Sequence, residues 1–597
     1  MDIASMSYQN TLLSIAGAGL LTHLIFKRTE THEPSHLAAL LLGFPAALTP
    51  LVMHHSSSIL GAGSTTFLTF WATLGASIIT YRLSPWHPLA KYPGPLICKA
   101  SKLWLAVLSL HGKQFTYYAK LHEQYGDVVR IGKSGLSSIL PSVTRLTSAS
   151  CSTGPNELSI RDVAAVAPMM GPQGFPKGPF WDGRIPEAQT VKPMIALRDK
   201  TEHTRRRRPW TRAFSTAALK GYEDIITTRC VELVETLAHQ EGTVDMAQWI
   251  SFFAYDLMND LAFGGGTEMM RDGDVDGLWH LMEAGQKSAI FMSHVPWLGA
   301  LFLRFPKFAN DLKAFREHAK KCVMARLLRG SPHKDLFHHL IDEDGVAANL
   351  PTIFEVISDG GVSFYAARSS KLLKQITRLR LQAEIDELGD DAMDYAKQAH
   401  LTYLNSAMCV PHSQPTLSYN PTLSPASTQK RKHASVPAGP ERQPALRRRR
   451  KNHRAPALLA CLYTSYVPKG TSTFIPFFSL HRDPRCFSPL PDAFLPERWL
   501  PPAQQAELEP GLFTDTEQEN STVVLNANAF IPFSVGPSNC VGKNLAWMEM
   551  RMLVCRLVQA FEMRFGEGYD PGRWEEDMLD YFVTIKGRLP VVLTPRK

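Results

Sequence analysis

The chain has 597 residues, 44% apolar and 20% charged, with a net charge of +9. That balance excludes a disordered protein, and the modest surplus fits an acidic partner or an anionic membrane surface better than nucleic acid. Nine cysteines without paired spacing argue against a disulfide framework or a zinc site and place the globular part in a reducing compartment.

Three apolar stretches open the chain: Thr11–Phe26, Leu37–Met53 and Ile59–Tyr81. The third has the length of a bilayer span, whereas the first two are short but nearly free of charge. Neither a basic start nor a small-residue cleavage site marks a removable signal peptide. Lys27 and Arg28 follow the first stretch, Arg82 and Lys91 the third. Three spans put both basic clusters on one side, as the positive-inside rule requires. Residues 1–82 are therefore expected to form a transmembrane anchor of one to three spans, with buried core helices as the alternative. The prolines of His87–Pro95 predict a stiff, extended hinge over residues 83–96.

From Ile97 to Arg329 apolar residues recur at helical spacing. Within this region Glu202–Phe214 (EHTRRRRPWTRAF) is a strongly basic helix. His203 and Arg207, four residues apart, share one face, and a guanidinium there can grip a carboxylate with two prongs. A solvated basic face is the other reading. Lys133–Gly154 is a Ser/Leu/Thr-rich oddity. Residues Cys409 to about Thr464 are rich in Pro, Ser and basic side chains, including Arg447–Lys451. Such a segment cannot bury enough apolar area to fold and is expected to be disordered. Neither arginine run is interleaved with aromatics, so no nucleic-acid partner is expected. Tyr466–Thr471 reads as a turn into a strand, and Asp580–Leu593 alternates like a terminal hairpin.

The most informative stretch is Phe533–Gly542, FSVGPSNCVG. Its glycines let the backbone pass close to something flat, and Lys543–Phe561 behind it reads as an amphipathic helix. A cysteine just ahead of a helix N-terminus faces unpaired N–H groups, so thiolate is favoured over thiol. Thiolate is a soft, electron-rich metal ligand. Cys540 is thus a candidate metal ligand, against the blander role of a packed structural cysteine.

This run resembles the haem-binding loop of the cytochrome P450 family, and its GPSNCVGKNLA wording is most similar to fungal members. The resemblance extends from Tyr81 to Lys597, apart from two aberrant stretches. It implies a mainly α fold with small β-sheets (α+β), behind an N-terminal transmembrane anchor, with residues 97–597 as a haem-thiolate domain. By the same resemblance Cys540 is the axial ligand of haem b, where thiolate pushes electron density toward O–O cleavage. Phe533, Gly536 and Gly542 shape the loop, and His203 and Arg207 hold haem propionates. The family's usual Arg two residues before the cysteine is Ser538 here, so propionate binding must lean elsewhere. The resemblance further implies insertion of one oxygen atom of O2 into an apolar organic substrate. Electrons from NADPH would pass through the flavins of a separate NADPH–cytochrome P450 reductase, docked on the remaining arginines. The implied location is the endoplasmic reticulum membrane, with the haem domain facing the cytosol. His87–Pro95 is similar to the family's proline-rich hinge. His481–Pro484 and Phe494–Trp499 match its HRDP and PERW blocks, and the terminal hairpin would line the substrate pocket.

Two landmarks depart from that pattern. The distal-helix acid–alcohol pair has become Ala366-Ala-Arg-Ser-Ser370, which leaves Ser370 as the candidate for proton delivery and no adjacent acid. The Glu-x-x-Arg pair that should follow Leu401–Asn405 is missing between Leu401 and Arg482. The matches Glu202/Arg205 and Glu268/Arg271 are out of context, and Arg498 is expected to lack its ionic partners. Family-like text also stops and resumes around 133–154 and 370–464, as a retained intron and a mis-spliced segment would produce. A catalytically impaired P450-like membrane protein therefore stays open beside the active enzyme.

Overall fold

The computed structural model describes residues 6–28, 34–132, 156–178, 180–181, 191–275, 277–295, 306–331, 333–346, 351–366, 379–409, 467–468, 471–508, 523–581 and 583–596. The aberrant stretch 133–154 and most of the expected disordered segment at 409–464 lie outside them.

Helices α1 (Tyr8–Arg28), α2 (Phe44–Met53) and α3 (Ile59–Leu83) pack around their own small core of Ile15, Phe26, Val52, Phe70 and Leu74. Gly19 permits the approach of α1 to α3, since a Cβ there would lie 3.0 Å from the Phe70 carbonyl oxygen. The outside of this bundle is also apolar, with Leu13, Leu60 and Leu68 exposed, which water alone does not favour. Among the described residues one helical run, Ser35–Met53, is long and apolar enough to cross a membrane, with mean hydropathy 1.7. The stretch with the most suitable length in the sequence, now α3, is diluted by its Ser, Thr and Gly residues.

Residues 83–96 turn repeatedly instead of extending. The Ala90 and Tyr92 N–H groups donate to the His87 and Leu89 carbonyls at 2.8 and 3.2 Å. Leu89 is fully buried and Tyr92 nearly so, in a core shared with Leu158, Ile160 and Phe487. The Arg130 N–H also donates to the Pro93 carbonyl at 2.8 Å. Burial of two large side chains outweighs the intrinsic preference of the prolines for an extended spacer.

The globular part is mainly helical. Around its centre lie α4 (Lys200–Ala213), α5 (Glu223–Ala238), α6 (Met246–Phe263), α7 (Ile353–Ala366), α8 (Thr402–Cys409) and α9 (Lys543–Ala560). Helix α6 is apolar on nearly every face and is buried along almost its whole length, as such a pattern demands. Its internal Asp256 is satisfied by the N–H groups of Met269 and Met270 at 2.9 and 2.8 Å.

Six described strands exceed two residues: β1 (Val128–Gly132), β2 (Asn156–Ile160), β3 (Thr243–Asp245), β4 (Thr471–Phe474), β5 (Phe561–Phe565) and β6 (Pro590–Pro595). One sheet has the order β1-β2-β4, the other β3-β6-β5. The expected turn into a strand at Thr471 is β4. The expected terminal hairpin divides: Leu579–Asp580 pairs with Thr584–Ile585, while β6 crosses to pair with both β3 and β5. Burial of Leu589 and Val591 in the main core draws that last strand away from its neighbour in sequence.

Candidate functional site

The loop before α9 closes on itself: the Cys540 N–H donates to the Phe533 carbonyl at 2.9 Å. Gly536 has φ +74°, and any Cβ there would clash with the Met170 carbonyl oxygen, so two requirements select glycine. The Phe533 ring lies 6.1 Å from that of Trp547 on α9. Gly542 caps α9, and a Cβ there would touch the Phe214 ring at 3.4 Å. Loop, α9 and α4 thus form one packed unit.

Cys540 is exposed and free. The surrounding protein pushes its thiol upward, while the Gly542 N–H, Arg207 and Lys543 pull it down without prevailing. The expectation that the helix terminus alone favours thiolate is therefore corrected. Burial outweighs the Gly542 N–H and the two cations here, and a cationic metal is the natural source of the missing stabilisation.

Helix α4 begins where Asp199 accepts the Glu202 N–H at 2.7 Å, the role of an N-cap. Its arginines diverge around the helix. Arg205 pairs with Glu202 at 2.7 Å and also meets Glu355 of α7. Arg206, 2% exposed, pairs with Asp359 at 2.7 Å and with Glu355 at 3.3 Å. Arg207 points to the loop, donating to the Asn539 carbonyl at 2.7 Å and to Asn539 Oδ1 at 2.6 Å. Arg212 pairs with Asp342 at 2.8 Å, and Arg208 is exposed. The basic run is largely consumed inside the molecule, so the broad docking face expected from the sequence is reduced.

His203 is buried on α4 and is held down at about 4 by burial, then by the Lys177 and Arg207 charges. Lys177, 5% exposed, is pulled down to about 7 by burial and Arg207. Arg207 therefore meets the residue before the cysteine, Lys177 and His203 lie near enough to feel its charge, and none of the three meets a carboxylate among the described residues. The nearby acid Asp359 is committed to Arg206 and to the Met194 N–H at 2.6 Å. Burial nonetheless pushes its carboxyl upward, with Arg206 opposing. Ser370, the proton-delivery candidate, lies outside the described residues.

Behind this unit, Arg498 is 1% exposed. Its Nη2 donates to the carbonyls of Pro489 and Leu490. Among the described residues its Nε and Nη1 have no partner and no carboxylate pairs with it. The neighbouring Glu497 instead accepts from Tyr403 of α8 at 2.9 Å and faces Arg380 at 3.4 Å. The out-of-context Glu202/Arg205 match is a local ion pair, and Glu268 pairs with Arg229 at 2.8 Å, not with Arg271.

Three residues of the site escape a reading from sequence. Asn539 sits inside the loop motif without an obvious task. Asp359 looks like any helix acid. Lys177 left the clearest trace, a lone charge in the run Phe175-Pro-Lys-Gly-Pro-Phe180.

The model of the family described as Cytochrome P450 matches residues 178–345 and 463–589. The chain belongs to the cytochrome P450 family. Similar proteins include Cytochrome P450 67 of Uromyces fabae, 28% identical over 96% of this chain and 97% of its own. The Cytochrome P450 monooxygenase FCK2 of Fusarium pseudograminearum is 27% identical over 97% of this chain and 96% of its own. Tryprostatin B 6-hydroxylase of Aspergillus fumigatus is 27% identical over 98% and 96%. As a P450 the chain is an oxidoreductase, and the family implies a haem-thiolate centre. The residues present fit that group: an open thiol, a loop whose Gly536 admits no side chain, and cations that meet no carboxylate among the described residues. The family match skips residues 346–462, the stretch that holds Ser370 and should hold the Glu-x-x-Arg pair.

Proposed function

We propose that this P450 is a membrane-anchored haem-thiolate monooxygenase that inserts one oxygen atom of O2 into an apolar organic substrate. The observation that carries the reading is the exposed Cys540 sulfur on a glycine-shaped loop gripped by Arg207. When bound, haem b supplies the reductive activation of O2 and the oxygen insertion. The chain supplies the rest. Cys540 would ligate the iron, Phe533, Gly536 and Gly542 would hold the loop in place, and Arg207 and His203 would hold the propionates. Ser370 would offer a hydroxyl for proton delivery.

Electrons come from NADPH through a separate NADPH–cytochrome P450 reductase. The helical bundle of residues 1–82 lies in the endoplasmic reticulum membrane, with the haem domain on the cytosolic side. The apolar exterior of that bundle supports this placement. The Aspergillus fumigatus relative, a tryprostatin B 6-hydroxylase, supports a hydroxylation here, and secondary metabolism is the setting we assign to it. The test is the absorption spectrum of the reduced, carbon-monoxide-treated full chain. A strongly red-shifted Soret band is expected, and a band at the ordinary protein-haem position would overturn the reading. Spectral titration against a panel of apolar metabolites would then define the substrate class.

A second reading is favoured by one observation, the buried Arg498 that meets no carboxylate among the described residues. In it the chain as written is a catalytically impaired P450 that folds weakly or holds haem without turnover. A low haem occupancy with intact helical content would select it, and sequencing the transcript over 133–154 and 370–464 would show whether the message carries both stretches.

A further inference from the structure

We propose that the basic end of the N-terminal bundle binds an anionic phospholipid, its phosphate held by Lys27 and Arg82 and an acyl chain lying in the groove between α1 and α3. This inference rests on the membrane placement proposed above. The groove has a volume of about 440 Å³ and is mostly apolar. Leu20 and His23 of α1 line one wall, Ala76 and Ser77 of α3 the other, and Tyr81 and Trp86 complete it. Two of its polar groups are matched to each other, with His23 Nδ1 and Ser77 Oγ 2.6 Å apart, which leaves a surface suited to hydrocarbon. Lys27 Nζ sits 3.9 Å from the centroid of the Tyr81 ring. His23 meets Ser77, and four residues further along each helix Lys27 meets Tyr81. Helices α1 and α3 therefore run parallel, and their basic ends coincide. Trp86 is 85% exposed, and indoles concentrate at the level of lipid headgroups.

The same end of α3 gathers positive charge. Arg82 Nη1 donates to the Ala100 carbonyl, and Arg130 Nη2 of β1 donates to the Arg82 carbonyl at 3.2 Å. Lys99 lies on the short helix Leu96–Ala100, where burial and then the Arg130 charge pull its ammonium down. Arg130 is 1% exposed, and neither its Nε nor that of Arg82 has a hydrogen-bond partner among the described residues. Glu157, on the strand paired with β1, is engaged by Lys102 at 2.9 Å. Residues 133–155, which follow β1, contain no Asp or Glu. Repulsion among these cations is relieved by an anion at the membrane surface. A phosphate diester brings oxygens for charge-assisted hydrogen bonds, and its attached hydrocarbon fills the groove beside them. A free phosphate would leave that groove unfilled, which favours the lipid.

The test is lipid titration of the full chain in neutral detergent, read by native mass spectrometry. Phosphatidylserine and phosphatidylcholine with the same acyl chains are compared, with inorganic phosphate as competitor. Wild type should bind one phosphatidylserine about 10- to 30-fold more tightly than phosphatidylcholine, as two cations facing an anionic headgroup allow. K27Q/R82Q should lose that preference, and K27R/R82K should keep it. A76F, which fills the groove and retains the cations, should weaken both lipids together. Equal affinities in the wild type, an unchanged preference in K27Q/R82Q, or unaltered lipid binding by A76F overturn the site. Displacement of the lipid by inorganic phosphate also overturns it, in favour of a soluble anion. Glu30 and Glu33 follow α1, and a preference that emerges only in E30Q/E33Q would mean that these acids already neutralise the cations, which overturns the site too. A K27Q/R82Q protein that fails to fold passes the decision to K27Q and A76F. Alkaline carbonate extraction of membranes separates the site from the placement it rests on. A chain that resists extraction but shows no lipid preference refutes the site alone, and a chain that is extracted refutes the membrane placement as well.

Discussion

The two sides of the haem-domain core differ in how their charges are settled. On the side of Cys540, Arg206 is enclosed by Asp359 and Glu355, and Arg207 grips Asn539 with two hydrogen bonds. On the side of Arg498, an equally buried guanidinium has only backbone carbonyls on one nitrogen, and two nitrogens remain bare among the described residues. The first arrangement draws its parts from α4, α7 and one contiguous loop. The second depends on a helix whose continuation past Cys409 departs from the family's wording. A buried ion is stable only with its partners, so one altered segment leaves the loop intact and strands Arg498.

The contrast makes graded predictions. C540S should abolish the red-shifted carbon-monoxide band and bring turnover below detection, while the haem-free protein keeps its helical circular dichroism. D359N removes the partner of a buried guanidinium and should lower unfolding stability by about 3 kcal/mol in urea titrations. A loss below about 0.5 kcal/mol would mean that Glu355 alone satisfies Arg206. G536A combines a left-handed backbone with a clash against Met170. It should destabilise the protein by about 2 kcal/mol and accelerate haem loss measured by transfer to an acceptor protein.

His203 supplies a pH effect on the same side. Its folded value, about 4, lies below the unfolded 6.5, so the unfolded chain binds more protons between these values. Its contribution is fully present above pH 6.5 and fades as pH falls toward 4. In the haem-free protein, H203Q should flatten that part of the stability profile. The smallest effect is expected at the other side. R498M should change stability by less than about 1 kcal/mol or raise it, because no ion pair among the described residues is broken and a charge without a carboxylate there is removed. A loss of about 3 kcal/mol or more would show that Arg498 has a carboxylate partner after all, and the contrast would fall.

The loop at Cys540 was legible because all its requirements are local: glycines at fixed spacing, one thiol and a helix directly behind. The pairing of Arg207 with the cysteine loop was only half legible. Helical spacing placed Arg207 and His203 on one face, but Asn539 as the acceptor needed two segments far apart in the chain. The hinge was misjudged as extended, since Leu89 and Tyr92 reveal their burial only once β2 is in place. The fate of the basic run was also hidden, because its carboxylates come from α7 and from the loop after Leu340.

By itself, the chain's wording determined the helical class, the apolar N-terminal stretches, the cysteine loop ahead of its helix and the gap where Glu-x-x-Arg should stand. All of these are patterns of neighbouring residues, which local propensity and spacing encode. Only the tertiary structure decided which cations are neutralised and which wait for an anion. It placed Arg206 against Asp359, set Arg207 on Asn539, and raised the Cys540 thiol by burial against the Gly542 N–H and two cations. Electrostatic energies in a low-dielectric interior depend on distances across elements, and sequence order does not specify those distances.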